Sequence, residues 1–168
     1  MKRKYLLLLA LSGSIYLFDQ WTKVFVIKHF RLGETYSLIS GFFSFTYVRN
    51  TGAAFGLMAQ ADPSFRIPFF VAVPVLALGV IAWIFRRIPD SDVKLSTALS
   101  LVIGGAIGNL TDRLRLGYVV DFIDFHWRDR AYFPAFNVAD SAICIGVAIL
   151  MLDLFAKDEE TTHASHSA

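Results

Sequence analysis

The stretch IPFFVAVPVLALGVIAWIF, residues 67–85, runs for 19 residues without one charged side chain. A helix needs roughly 20 mainly apolar residues to cross the hydrocarbon core of a bilayer. The run therefore predicts a membrane-spanning helix. Pro68 falls where a first-turn proline is tolerated. Pro74 lies inside the run and is expected to kink it, which membranes permit when neighbouring groups satisfy the freed carbonyl.

Three further runs have comparable length. One covers about 5–27 and is interrupted by Asp19 and Lys23. One covers about 94–112, with an uncharged centre, and ends at Asp112-Arg113. The last covers about 136–155, with Asp140 near its start and Asp153 near its end. The expected fold is mainly α: a polytopic membrane protein with four transmembrane helices in a single domain, residues 1–156. The opening MKRKYLLLLALSGS has the basic start and apolar centre of a secretory signal. Its apolar run continues through IYLF to Ile27, long enough to span, so it is expected to stay as an uncleaved helix.

Composition agrees with a membrane protein. Of 168 residues, 55% are hydrophobic and only 18% charged, less charge than a soluble domain of this length carries. Sixteen Phe and three Trp supply the aromatic excess that anchors proteins at membrane interfaces. A net charge of +2 without a basic cluster on a polar element excludes a nucleic-acid partner. The single Cys144 lies within an apolar run and reads as a small packing residue.

Lys2, Arg3 and Lys4 crowd the N-terminus, and Arg86-Arg87 crowd the short second connection. The positive-inside rule then predicts cytoplasmic termini. Arg31, Arg49, Arg66, Arg115, Arg128 and Arg130 populate the other connections, so it is the density of charge and not the count that orients the chain. Segments of about 28–66 and 114–135 are thereby placed outside. In the first, Phe43, Phe45 and Tyr47 alternate with Ser44 and Thr46, a strand signal. Gly52 and Gly56 follow and permit sharp turns. A small extracytoplasmic β-sheet on the membrane surface is expected. The tail 157–168 is short and polar and is expected to be disordered.

Ionisable groups at membrane depth need a partner or a task. In AFNVADSA, residues 135–142, Asn137 with Asp140 three positions on resembles a helix-opening cap, and an acid suits the first turn. Asp19 and Lys23 stand four apart with the acid first, the favourable helical order. A self-neutralising pair and a direct catalytic role both fit them. Asn109, Asp112 and Arg113 share one side of the third span. They read as a network locking helices together, with Arg113 keeping Asp112 ionised. In VVDFIDFHW, residues 119–127, strand geometry puts Asp121 on a face with Val119, Ile123, Phe125 and Trp127. Asp124 falls on the other face with Val120, Phe122 and His126. Asp121 is expected in the more apolar surroundings, with its pKa raised, and Asp124 in the more solvated ones. Asp153 is assigned no function.

Asp121 and Asp140 are both expected at the outer membrane edge. Two carboxylates sharing a site do not both ionise easily. One holds a proton and the other acts as base, a pair able to activate water against a peptide carbonyl. Competing chemistries lack parts. There is no HExxH, and His29, His126, His163 and His166 have no ligand spacing. Ser12 and Ser14 lack a His partner. No metal and no cofactor are expected. A small proton-coupled transporter or channel subunit would also carry acids at membrane depth, although no repeated half accompanies them here. A non-catalytic assembly factor, its polar groups only joining helices, is the third reading.

Five motifs stand in order across the chain: DQWTK (19–23), RNTGAAFG (49–56), GGAIGNLTDR (104–113), GYVVDFIDFHW (117–127) and FPAFNVADS (133–141). Together they resemble the bacterial lipoprotein signal peptidases, the signal peptidase II family. The resemblance covers about residues 5–155. It implies a four-span aspartic endopeptidase of the inner membrane, a monomer with its active site at the outer face, working among membrane lipids. Its substrates would be prolipoproteins, cleaved just before a diacylglyceryl-modified cysteine. The family's catalytic pair falls on Asp121 and Asp140. Its supporting residues fall on Asp19, Asn50, Asn109, Asp112, Arg113 and Asn137.

Overall fold

The computed structural model describes residues 2–52, 58, 62–127 and 131–166. The elements run α1 (Arg3–His29), β1 (Thr35–Ile39), β2 (Phe43–Asn50), α2 (Pro63–Arg87), α3 (Val93–Leu116), β3 (Val119–Trp127), β4 (Ala131–Tyr132) and α4 (Val138–His166). The four strands make one antiparallel sheet in sequence order. The expected strand over 43–47 is present and extends to Asn50. Gly56 and residues 128–130 of the expected outer segments lie outside the described residues.

Among the described residues, three helices are long and apolar enough to cross a membrane: Ser64–Arg87, Val93–Leu116 and Val138–Ala156. Helix α1, at 27 residues, is long enough, but Asp19, Gln20 and Lys23 reduce its apolar character. Those residues do not face lipid. Asp19 and Lys23 are buried against α3, while Leu17, Phe18, Trp21 and Phe25 stay exposed.

Local signals set the helix ends. Asp62 accepts a hydrogen bond from Ser64 N at 2.8 Å, ahead of Pro63 at the first helical position of α2. The helix then continues through Pro68 and Pro74. Asp92 caps α3 in the same way, through Leu95 N at 2.9 Å. Gly117, with φ of 77°, ends α3 in the left-handed conformation that glycine adopts without penalty. The chain then turns directly into β3.

Lys4 is buried. Its Nζ donates to the carbonyls of Phe85, Arg86 and Ile88 at 3.1, 3.1 and 2.7 Å. A cation there satisfies the orphan acceptors at the C-terminal end of α2 and suits its dipole. Asp90 returns the favour at α1, accepting from Arg3 N and Lys4 N at 3.2 and 3.0 Å. The N-terminal basic cluster thus supplies Lys2 and Arg3 to solvent, whereas Lys4 clasps α1 to α2.

Helix α4 continues to His166. No proline or glycine follows Gly146, and Ala, Lys and Glu propagate a helix already started.

Helix α3 is the centre of the bundle, and its glycines set how closely α1 and α4 approach. A Cβ on Gly104 would lie 2.9 Å from Ser12 Cα in α1. One on Gly105 would overlap the Ala139 carbonyl oxygen in α4. One on Gly108 would meet Asp19 Oδ2 at 2.6 Å. From α4, Gly146 meets the Ala98 carbonyl in the same manner, at 2.7 Å. Small residues permitting backbone contact are the usual means of joining helices in lipid.

Gly105→Ala should therefore lower thermal stability by about 1–3 kcal/mol, the typical cost of forced overpacking. Gly79→Ala, with nothing within 4 Å, should be neutral or gain up to ~1 kcal/mol from helix propensity. Melting of the two variants in one detergent checks this. Equal melting temperatures would contradict the close approach of α3 and α4.

Candidate active site

The turn at Gly117 brings β3 beneath the end of α3. Val120 N then donates to Asp112 Oδ2 at 3.1 Å, which registers the strand against the helix. Asp121 follows. It is 2% exposed, although the packed face of β3 is the other one: Val120 and Phe122 join Val26 and Tyr47 in a core cluster. The expectation that Asp121 is the more enclosed of the two β3 acids holds. Its burial comes instead from the polar groups and cavity wall above the sheet. Asp124 is half-buried, 3.4 Å from His126 Nδ1, so the expected solvation is only partial.

Asp140 stands in the first turn of α4. The expected cap is present and reciprocal. Asn137 Oδ1 accepts from Asp140 N at 2.9 Å, and Asp140 Oδ2 accepts from Asn137 N at 3.2 Å. Asp19 adds a second cap from α1, its Oδ1 accepting from Ala139 N at 2.9 Å. This contact is possible because Gly108 has no side chain between α1 and α4.

Asp121 and Asp140 line one cavity of about 620 Å³. Asn50, Asn109 and Arg113 also line it, with apolar walls from Val48, Phe133, Phe136 and Ile143. Three amides hold the two carboxylates. Asn50 Nδ2 donates to Asp121 Oδ2 at 3.0 Å, and Asn137 Nδ2 to Asp121 Oδ1 at 2.7 Å. Asn109 Nδ2 donates to Asp140 Oδ1 at 2.7 Å. Asn137 thus touches both acids. Burial, and then the neighbouring charge of Asp140, push the Asp121 carboxyl up to about 7 against the opposing amide donors.

The expected pairing of Arg113 with Asp112 is corrected. The cation on Asp112 is Lys23, at 3.0 Å, and Lys23 also meets Asp19 at 2.9 Å. Both acids reach Lys23 because the close α1–α3 packing brings DQWTK against the end of α3. Arg113 is turned to the cavity side. Its Nη2 donates to Gly52 O at 3.4 Å, and its guanidinium lies 5.4 Å from the Phe70 ring centre. All eight residues singled out from the sequence are therefore in or directly beside one network: Asp121, Asp140, Asp19, Asn50, Asn109, Asp112, Arg113 and Asn137.

Sequence reasoning missed Gln20, whose Nε2 lies 3.1 Å from Asp19 Oδ2 and 3.0 Å from Asp112 Oδ1. It also left Lys23 as half of a local pair. The signal was present in DQWTK, where residues 19, 20 and 23 share one side of a helix.

The site sets two acids and their amide donors on a cavity whose walls are in part apolar. Comparison with known proteins gives this arrangement a family. A family model described as "Signal peptidase (SPase) II" matches residues 11–156. The lipoprotein signal peptidase of Geobacter sulfurreducens is 50% identical over 146 residues, covering 87% of this chain and 89% of the relative. That of Syntrophus aciditrophicus is 45% identical over 160 residues, covering 95% and 99%. A solved bacterial membrane enzyme structure, obtained by the in meso method, superposes with TM-score 0.82 at 30% identity, covering 91% of this chain and 90% of that one. With the family model and these relatives matching most of its length, the chain belongs to the signal peptidase II family of proteases.

Proposed function

We propose that the protein is an aspartic endopeptidase that removes signal peptides from prolipoproteins, cleaving just before the lipid-modified cysteine. The observation that carries this reading is the pair Asp121 and Asp140 lining one cavity, each carboxylate accepting hydrogen bonds on both oxygens. All four helices cross the inner membrane, both termini lie in the cytoplasm and the pair works at the outer face. Membrane lipids surround a monomer.

The reaction follows from the charge states. Asp121 holds its proton up to about pH 7, so near neutrality the pair carries one proton between two acids. The ionised acid takes a proton from a water molecule as the oxygen attacks the scissile carbonyl carbon. The protonated acid donates to the carbonyl oxygen as the tetrahedral species forms. Collapse breaks the C–N bond: the proton gained from water passes to the leaving nitrogen, and one hydroxyl of the tetrahedral species returns its proton to the acid that had donated it. Asn50, Asn109 and Asn137 keep the two carboxylates oriented throughout. Asp19 and Asp112 hold the helices that carry them, and the Arg113 charge balances the acids. The apolar walls suit a lipid-bearing substrate, and Asp140 at the head of α4 places the chemistry beside that lipid.

Asp121→Asn and Asp140→Asn should each insert and bind lipidated substrate but cleave on the order of 10⁴-fold more slowly or worse, as expected of a cooperating unit. Asp124→Asn should retain most activity. Single-turnover cleavage of a lipidated prolipoprotein by purified protein in detergent checks all three. Normal cleavage by Asp121→Asn would overturn the mechanism.

The raised Asp121 carboxyl has two consequences with pH. Cleavage should fall as pH rises past about 7, because the shared proton is lost; the apparent value belongs to the pair. Stability should move the same way. The unfolded carboxyl ionises near about 4, below the folded one at about 7. Between these values the unfolded state binds fewer protons, so rising pH disfavours the fold at this residue. Asp121→Asn should lose that slope, and melting measured across this range tests it. An unchanged slope would contradict the raised carboxyl.

Topology gives an independent check. A reporter fused after residue 168 or within 89–94 should read as cytoplasmic, and one within 60–64 as external. The reverse would put the aspartates on the wrong side for exported substrates.

A further inference from the structure

We infer that Lys23 is a positioning residue for the reaction: its ammonium fixes the Asn109 amide in the one orientation that aims a donor at Asp140. This inference rests on the aspartate-pair reading and extends it to a residue outside the cavity.

The geometry is over-determined. Lys23 is 1% exposed, and an ammonium has three hydrogens and no acceptor. Its three contacts are Asp19 Oδ2 at 2.9 Å, Asp112 Oδ2 at 3.0 Å and Asn109 Oδ1 at 2.9 Å. Two acids therefore hold the ammonium, and its remaining hydrogen faces the Asn109 oxygen. Asn137 Nδ2 approaches that same oxygen at 3.2 Å. The other end of the amide, Asn109 Nδ2, meets Asp140 Oδ1 at 2.7 Å. Rotating the amide by half a turn would set its NH₂ against two donors and its carbonyl against a carboxylate. Each of those contacts is repulsive, and the shorter of the two donor contacts, and the charged one, is that of Lys23.

A bland alternative is that Lys23 only neutralises Asp19 and Asp112. Neutralisation needs no contact with Asn109, yet the distance to Asn109 equals that to Asp19. The charge of Lys23 also has a consequence for pH. The charged groups around Lys23 are Asp19 on α1, Asp112 and Arg113 on α3, Asp121 on β3 and Asp140 on α4. Its positive charge favours the ionised form of Asp121. Removing it should move the alkaline limb of the pH–rate profile to higher pH.

Lys23→Met alone leaves two buried carboxylates without a cation and is liable to misfold. The test therefore adds Lys23→Met/Asp112→Asn, which removes one of those charges, beside Asp112→Asn as its reference. Full-length proteins in detergent are assayed on a lipidated prolipoprotein, with melting recorded for each. Relative to Asp112→Asn, the double variant should lose kcat on the order of 100-fold, the scale of an ångström-sized misplacement. KM should change less than about twofold, and the alkaline limb should shift upward. Adding Asn109→Ala should cost the double variant little more, since Lys23 acts through that amide, whereas in the Asp112→Asn background it should cost nearly the full amount. Losses that multiply would overturn the positioning role while leaving the aspartate pair intact. Cleavage by Asp121→Asn or Asp140→Asn would overturn both.

Discussion

A lysine buried among three helices has to be satisfied entirely by protein, and the fold is arranged around that requirement. Lys23 takes Asp19 from its own helix and Asp112 and Asn109 from α3. Moving such charges out of water is costly, and removing one partner of a buried pair typically costs about 3–5 kcal/mol. The cluster therefore holds only if α1 and α3 approach to a fixed distance. Gly104 and Gly108 provide that distance on one side of α3, and Gly105 provides it for α4 on the other. Polar satisfaction and backbone contact are two aspects of one constraint: the acids need the glycines to meet their partners, and the close helices need the acids to be neutralised.

The site inherits its order from this cluster. Asp19 reaches past Gly108 to the backbone of Ala139, so α4 begins where α1 dictates. Asp112 accepts from Val120 N, so β3 begins where α3 dictates. Asp140 and Asp121 each follow by one residue. Two carboxylates from remote parts of the chain are thereby set on one cavity by contacts that none of the cavity's own walls make. Such an arrangement suits a pair that must share a proton, since mutual repulsion would otherwise separate them. The helix N-terminus, with its free N–H groups, favours negative charge at Asp140, whereas Asp121 lies on a strand without that support.

Much of this was legible in the sequence. The uncharged run 67–85 announces a membrane protein, and period-2 alternation announces β2. Asn137 and Asp140 read as a cap because capping is local: the partners are three residues apart. Long-range pairing was less accessible. Asp112 was matched to its chain neighbour Arg113, yet its cation comes from α1, 89 positions earlier in sequence terms of residue number (112 against 23). Nothing local distinguishes the two. Lys4 was read as a topogenic charge although it closes the end of α2, because its acceptors are backbone carbonyls that any sequence would supply. The surroundings of β3 are legible only in part. Alternation shows that two faces exist, but both are buried at this end of the strand.

The central claim is that Asp121 and Asp140 share a proton near neutrality. Infrared difference spectroscopy of the carboxyl band, recorded on purified protein across pH, tests this directly. The account predicts one carboxyl group titrating near about 7, absent from Asp121→Asn and shifted to lower pH in Asp140→Asn, where the neighbouring charge is gone. If no carboxyl band titrates above about pH 5, close to the ordinary range of aspartate and glutamate, the two acids are independently ionised and the shared-proton mechanism is wrong.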